Sequence, residues 1–180
     1  NKLIVLISSL ILFMNFLPAF GQGQANIWYT GTSAGLNFNT NPPSLLENGV
    51  DLLDGASGEG VGAICDASGN LQFYTNGVDI YTKNHVLMPN GSGLNGSGTT
   101  TQTGLVIPVN GSTTQYFVIS TKDAGGTAKF VIVDMALNGG DGDVIIASKN
   151  GGNGTQLLAS SSESSLAIPE YDINNDPTGE

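Results

Sequence analysis

Short apolar runs separated by turn residues recur along the chain from residue 26 onward. At its centre, the runs Val61–Cys65 and Leu71–Thr75 flank the turn Asp66–Asn70. The pair Asn76-Gly77 then leads into a third run, Val78–Thr82. Asn-Gly between strand-like runs favours a type I′ hairpin turn, because both residues accept positive φ. The pattern therefore predicts a three-strand antiparallel meander.

The runs on either side predict further strands of the same kind. Outside the N-terminal segment, apolar residues do not recur with helical spacing over a helix-length window, so the chain is predicted to be all-β. The segment Ser44–Gly60 is predicted to be a polar connection. The further predicted strands are Asn26–Gly31, Leu36–Asn39, Gly104–Pro108, Thr114–Thr121, Lys129–Met135, Val144–Ser148 and Leu166–Ile168, with a weak one near Val50–Leu53.

An internal period accompanies these strands. Phe73 and Phe117 are 44 residues apart, and so are Gly60 and Gly104. Four-strand units repeating every 40 to 50 residues or so are typical of β-propeller blades, whose sheets bury both faces by stacking. We therefore expect residues 22–180 to form an incomplete propeller-like domain of about two and a half blades, truncated at its C-terminal end.

The N-terminal segment is predicted to be a helical secretory signal peptide. Lys2 precedes an apolar stretch, and Ala19-Phe20-Gly21 fits the small-x-small cleavage rule. Cleavage is expected after Gly21, which places the mature protein outside the cell, secreted or on the cell surface. The alternative is that residues 1–21 remain as a membrane anchor; after cleavage no membrane span is expected.

Charge narrows the classes of partner. The formal net charge is −10, and the five basic residues are all lysines. Nucleic-acid binding depends on clustered Lys and Arg, so this chain is not expected to bind nucleic acid or anionic membrane surfaces. An acidic surface suits an exported protein or one that gathers cations.

The single cysteine and the single histidine do not predict a reactive site. Cys65 lacks a second cysteine for an internal disulfide and is interpreted as a small buried strand residue. His85 lacks Cys or His partners in the sequence, so a loop or strand-end position is expected. No catalytic residue is predicted.

Two glycine motifs resemble functional loops but lack their context. Gly31–Gly35 matches the G-x-S-x-G nucleophile elbow, which requires a helix after the serine. Gly91–Gly96 matches G-x-G-x-x-G, which requires a strand before it and a helix after it. Both are predicted to be turns or loops, and no cofactor is expected.

One cluster near the C-terminus is a weak calcium candidate. Asp172, Asn174 and Asp176 offer oxygen ligands at alternate positions, but Pro177 occupies the place where an EF-hand has glycine. An Asx-rich hairpin turn explains the same residues.

Aromatic residues cluster in the predicted strands. They are interpreted as core and cross-strand pairs rather than as a sugar-binding platform. The residues are Trp28, Tyr29, Phe73, Tyr74, Tyr81, Tyr116 and Phe117.

The order of motifs resembles a bacterial family. The segments are Trp28–Thr40, Cys65–Val78, Asn84–Leu94 and Val133–Val144. Together they are similar to the N-terminal region of Bacteroidetes secreted and cell-surface proteins of the type IX secretion group, many of them gliding-motility-associated or adhesin-like. The resemblance implies a signal peptide, a propeller-like β region and a C-terminal sorting domain, with no established catalytic residues.

The sequence favours an exported, non-catalytic binding or scaffold module of a larger adhesin-like protein. Its ligand is expected to be extracellular, such as a glycan or other cell-surface material. One alternative is the propeller part of a secreted glycan- or polymer-degrading enzyme, whose paired carboxylates would lie outside this chain. A second alternative is a calcium-stabilised structural repeat.

Overall fold

The computed structural model describes residues 23–53, 59–123 and 125–163. This part is all-β, as predicted, and its helical elements are single 3-10 turns at Gly23–Ala25, Asn138–Gly140 and Ile146–Lys149. The strands are β1 (Ile27–Thr30), β2 (Ala34–Asn37), β3 (Ser44–Leu46), β4 (Gly62–Cys65), β5 (Leu71–Thr75), β6 (Ile80–Thr82), β7 (Gly104–Pro108), β8 (Gln115–Thr121), β9 (Ala128–Asp134), β10 (Asp143–Val144) and β11 (Thr155–Leu158).

Consecutive strands pair antiparallel to give three sheets. The first sheet has the order β1-β2-β3 and the second sheet β4-β5-β6. In the third sheet, β7, β8 and β9 follow in order, and β10 and β11 both pair with the far side of β9. The first and second sheets are meanders, because the turns leave each strand beside its predecessor. The third sheet is a meander from β7 to β10, whereas β11 returns to pair with β9.

The second sheet lies between the other two. Its first strand, β4, contacts β1 on one side and β7 on the other. A Cβ on Gly62 of β4 would lie 2.7 Å from the carbonyl oxygen of Gly104 of β7, so glycine permits this close approach. The first strands of the three sheets therefore run along one side of the molecule.

Two hydrophobic cores fill the two spaces between the sheets. The core between the second and third sheets contains Ile64, Phe73, Ile80, Met88, Leu94, Val118, Val131, Val133, Met135 and Val144. The core between the first and second sheets contains Tyr29, Leu52, Leu71 and Tyr74, with Ile27, Leu46, Val50, Val61, Ala63 and Tyr81 packed against it.

The prediction that each repeating unit has four strands is wrong for two of the three sheets. The first and second sheets have three strands each, and a single bridge between Tyr81 and Leu87 extends the second. The predicted strand near Val50–Leu53 is reduced to a bridge between Thr32 and Asp51. The segment interpreted as a connection instead supplies β3, because Leu45 and Leu46 pair with β2.

The turn after β5 also differs from the prediction. Gly77 has φ of +79°, but Asn76 is not among the residues with positive φ, so the turn is not type I′. The side-chain oxygen of Asn76 instead accepts hydrogen bonds from the backbone N–H groups of Val78 and Asp79. An Asx-type turn of four residues results, and β6 begins at Ile80 rather than Val78.

The third sheet departs from the prediction at its C-terminal end. The predicted strand Val144–Ser148 is strand only at Val144, and a 3-10 turn over Ile146–Lys149 ends at Asn150 in the left-handed conformation. The following Thr155–Leu158 pairs with β9, although its mostly exposed side chains lack the period-two burial of a predicted strand.

Several predictions lie outside the described residues. These are the signal peptide of residues 1–21, the strand at Leu166–Ile168 and the calcium candidate formed by Asp172, Asn174 and Asp176. Across the described ranges 23–53, 59–123 and 125–163, no helix has the length and apolar character needed to cross a bilayer.

Candidate functional site

A groove runs where the first strands of the three sheets converge. Its volume is about 500 Å³, within the range of about 300–1,000 Å³ typical of small-molecule sites. Trp28 and Leu36 line it from the first sheet, Val61 and Ala63 from the second, and Leu105 from the third. Glu59 and Gln102 add polar groups to these apolar walls.

Trp28 is the one aromatic side chain in this groove that is both exposed and fixed in position. It is 55% exposed, which corrects the expectation of a core position, although it forms a cross-strand pair with Leu36 as predicted for these aromatic residues. Its indole N–H donates to the carbonyl oxygen of Ala25 at 2.8 Å, and its ring centroid lies 5.1 Å from that of Phe38. The ring is therefore held against the surface before any partner arrives.

The outer face of the first sheet, defined by Trp28, Leu36 and Leu45, is apolar. Trp28 pairs with Leu36, and Leu36 pairs with Leu45, so the three side chains form one row across the strands. Their neighbour Tyr29 is buried against the second sheet, and alternation along the strand directs Trp28 the opposite way. Leu36 is 39% exposed and Leu45 is 63% exposed.

The outer face of the third sheet is apolar as well. Val118 and Val131 are buried against the second sheet, so the alternating side chains of the same strands face away from it. These side chains are paired in register across β7, β8 and β9 and are half-buried. The outer face of the third sheet comprises Leu105, Ile107, Phe117, Ile119, Phe130 and Ile132.

A hydrogen-bonded network joins the first and second sheets around His85. The hydroxyl of Tyr29 donates to the side-chain oxygen of Asn48 at 2.9 Å, which leaves the amide nitrogen of Asn48 to donate to Nε2 of His85 at 2.9 Å. Nε2 is then an acceptor, and the proton of the neutral ring lies on Nδ1. Nδ1 is 3.1 Å from the hydroxyl oxygen of Tyr74, which also accepts from the backbone N–H of Val50.

Burial shifts the pKa values within this network. It lowers the pKa of His85, because the charged imidazolium is disfavoured away from water. It raises the pKa values of Tyr29 and Tyr74 for the same reason, since their ionised forms are also disfavoured. The network is therefore neutral at physiological pH.

The residues most suggestive of nucleophilic chemistry lie in a buried strand, a turn and a loop. Cys65 is fully buried in β4, and burial raises the pKa of its thiol. Ser33, the serine of the G-x-S-x-G match, has φ of +61° in the turn between β1 and β2, where a strand rather than a helix follows. Gly91–Gly96 is a loop whose backbone bonds back to the second sheet.

Within the described residues, no group of three or more His, Cys, Asp or Glu side chains is placed to hold a metal ion. Asp141 is instead 3.1 Å from Lys83 and accepts from Asn84. Asp143 accepts from Asn90 at 2.9 Å. These contacts tie the loop after β6 to the loop after β9 and to the start of β10.

Sequence reasoning missed Asn48 and the two outer faces. Asn48 lies in a segment predicted to be a connection, 37 residues from His85, and no local pattern links the two. The outer faces are visible only once the stacking order of the sheets is known. Comparison with protein-family models, curated proteins and solved structures finds no match to this chain.

Proposed function

We propose that this chain is an exported, non-catalytic scaffold and binding module of a larger secreted or cell-surface protein, with its sheets arranged like propeller blades. Support comes from one observation above the others. The second sheet is covered on both faces, whereas the first and third sheets each carry an apolar outer face. A module built this way functions by stacking further β-sheets against its ends.

The way repeat proteins bury apolar surface explains why such a module would stack further sheets. Each sheet buries its apolar faces only against a neighbour, so the end sheets of a stack need polar caps or partners. Trp28, Leu36 and Leu45 form a contiguous exposed row, which is the kind of surface that marks an interaction site. The proposed function assigns both outer faces to protein contacts.

An environment-sensitive apolar dye tests whether these faces are available. We expect dye fluorescence to rise on binding to the dilute chain and to fall in the variants Leu45→Glu and Ile119→Lys. Val86→Glu is the matched control, since Val86 is 57% exposed in a loop of the second sheet. Dye binding that is unchanged in both face variants would contradict the proposed scaffold function.

A second candidate function is glycan binding in the groove. The observation that favours it is the fixed, exposed ring of Trp28, because aromatic rings stack on the apolar faces of sugars. The net charge of −10 disfavours anionic polymers, so the ligand class would be a neutral polysaccharide. On an array of neutral glycans, Trp28→Ala should abolish binding and Leu45→Ala should retain it; no binding by the unaltered chain would eliminate this candidate.

Export is a separate part of the proposal and has its own test. Cleavage after Gly21 leaves a mature N-terminus at Gln22. N-terminal sequencing of the protein recovered outside the producing cell should therefore begin at Gln22. Recovery of the chain with its first residues intact would contradict cleavage.

A further inference from the structure

Eight Asn-Gly pairs occur along the chain, and each carries a latent covalent reaction. The backbone nitrogen of the glycine can attack the side-chain carbonyl carbon of the asparagine, since a residue without a side chain leaves the approach open. The new carbon–nitrogen bond closes a succinimide ring, and the side-chain nitrogen leaves as ammonia with the proton of the glycine N–H. Water then opens the ring at either carbonyl and leaves aspartate or isoaspartate.

The fold restrains both reacting groups in five of these pairs. In each of them the side-chain amide is hydrogen-bonded, and the glycine N–H donates to another group. Ring closure therefore requires native hydrogen bonds to break, which opposes the reaction. The five pairs begin at Asn48, Asn76, Asn90, Asn95 and Asn153.

The other three pairs lie in exposed turns between strands of the third sheet and begin at Asn110, Asn138 and Asn150. Within the part of the chain that the structure describes, their side chains and the N–H groups of the glycines that follow make no hydrogen bond. Two of the three keep a backbone restraint. The carbonyl oxygen of Asn138 accepts from the N–H of Asp141, and the N–H of Asn150 donates to Ala147. These two asparagines also have left-handed φ values of 50° and 51°.

Asn110 is the least restrained of the three. Among the described residues, neither its backbone groups nor its side chain form a hydrogen bond. A Cβ built on Gly111 would find no heavy atom within 4 Å beyond its chain neighbours, so the space around the pair is open. Val109 donates to Gln115 and accepts from Ser112, which holds the chain on both sides of the pair. The pair can therefore move while β7 and β8 stay together.

We infer that Asn110 is a site of spontaneous deamidation, which converts to aspartate and isoaspartate in the folded protein before the other Asn-Gly pairs do. The reaction goes beyond the proposed scaffold function and does not depend on it. It adds one negative charge to a chain whose net charge is −10. Because the turn is exposed and lies outside both hydrophobic cores, the product should remain folded and accumulate.

The difference between the sites should be large enough to measure. A tenfold change in rate corresponds to about 1.4 kcal/mol, which is of the order of one net hydrogen bond in a protein. A pair that is held at both reacting groups should therefore react at least about tenfold more slowly than Asn110.

Peptide mapping by mass spectrometry after incubation in mildly alkaline buffer tests this order. Cleavage after lysine leaves Asn90, Asn95 and Asn110 in one peptide, residues 84–122, so a single peptide carries the proposed site and two restrained controls. In the folded chain, fragmentation should place the conversion at Asn110. In urea the three pairs should react at similar rates, because the restraints of the fold are gone.

A matched variant connects the acidic product to this residue. Asn110→Gln keeps an amide but must close a larger ring, and Asn110 is not among the residues with positive φ, so glutamine fits the backbone. Once circular dichroism and thermal melting show that the variant folds, ion exchange should find its acidic form strongly reduced. The inference is overturned if any other Asn-Gly pair of the folded chain reacts as fast as Asn110. It is equally overturned if Asn110 stays intact in the folded chain while it converts in urea.

Discussion

The two interfaces inside the molecule are built from different chemistry. Between the second and third sheets, the core is aliphatic and aromatic, with Phe73 and Val133 fully buried. Between the first and second sheets, the rings of Tyr29 and Tyr74 stack at 4.7 Å, and their hydroxyls belong to the network around His85. One interface is an apolar core, and the other combines ring packing with directional hydrogen bonds.

The two interfaces are therefore expected to contribute differently, one mainly to the free energy of folding and the other to the position of the first sheet on the second. The free energy of apolar burial is roughly proportional to the area buried and tolerates small shifts in position. The interface between the second and third sheets should therefore supply more of the free energy of folding than the interface between the first and second sheets. Hydrogen bonds require defined geometry, so the network around His85 fixes how the first sheet sits on the second. The following substitutions test this contrast, from the largest expected effect to the smallest.

Truncation of Phe73 should be the most destabilising change. Phe73 is fully buried between the second and third sheets, so Phe73→Ala removes apolar contacts and leaves a cavity. We expect the free energy of unfolding to fall by about 3–5 kcal/mol, measured by urea denaturation. The matched control Phe38→Ala, at a site 40% exposed, should change it by less than about 1 kcal/mol. Equal losses in the two variants would contradict the assignment of Phe73 to the core.

Removal of one hydroxyl should weaken the other interface by less. Tyr74→Phe keeps the ring but deletes the oxygen that accepts from Val50 N–H and contacts Nδ1 of His85. An expected loss of about 1–3 kcal/mol follows from leaving these donors unsatisfied. Tyr116→Phe, in the third sheet, is the control and should cost less, since its hydroxyl makes no hydrogen bond within the described part of the chain and its ring packs at the edge of the other core. If Tyr116→Phe were the more damaging change, the network would not hold the interface between the first and second sheets.

Acidification should destabilise the interface that contains His85. Burial holds the pKa of His85 below its unfolded value of about 6.5, so the unfolded chain binds the proton more readily. The contribution of neutral His85 is complete above about pH 6.5 and is lost as the pH falls through the folded pKa. Protonated Nε2 would also face the donor amide of Asn48.

Melting temperature between about pH 7.5 and pH 5 reports this effect. The control is His85→Asn, because Asn tolerates the positive φ of 61° at this position and does not titrate. His85 is the single histidine of the chain, so the variant should lose most of the pH dependence in this window. An identical slope in the variant would assign the dependence to other groups.

The ion pair at the edge of the interface between the second and third sheets should matter least. Lys83 and Asp141 are 3.1 Å apart, with side chains 40% and 38% exposed. Water and salt screen such pairs, so Lys83→Ala should lower the free energy of unfolding by at most about 1 kcal/mol. A larger loss, insensitive to salt, would show that this loop contact rather than the apolar core joins the two sheets.

The strands that sequence predicted well are those whose signals are local. In the turn Asp66–Asn70, the carboxylate of Asp66 accepts from the N–H groups of Ser68 and Asn70, and Gly69 has φ of +84°. Each of these features depends on residues within four positions. The strand β11 was missed because its position depends on pairing with β9, more than twenty residues earlier.

The candidate site was less predictable because it depends on contacts between residues that are distant in the sequence. Trp28 and Tyr29 are adjacent and both aromatic, yet one is exposed and the other is buried. Alternation places them on opposite faces, but the stacking order of the sheets decides which face is covered. The 44-residue spacing of Phe73 and Phe117 did mark equivalent positions in two sheets. Both residues lie on the second strand of a sheet and are paired in register with an isoleucine of its first strand.

Trp28 gives the most direct measurement of the central claim that the outer face of the first sheet is a stacking surface. It is the single tryptophan of the chain, so its fluorescence reports on that face alone. On addition of the apolar dye, the account predicts a shift of Trp28 emission to shorter wavelength and reduced quenching by acrylamide. Both changes should be lost in Leu45→Glu, which leaves Trp28 itself unaltered. Emission and quenching that stay constant over the whole range of dye concentration would contradict the account.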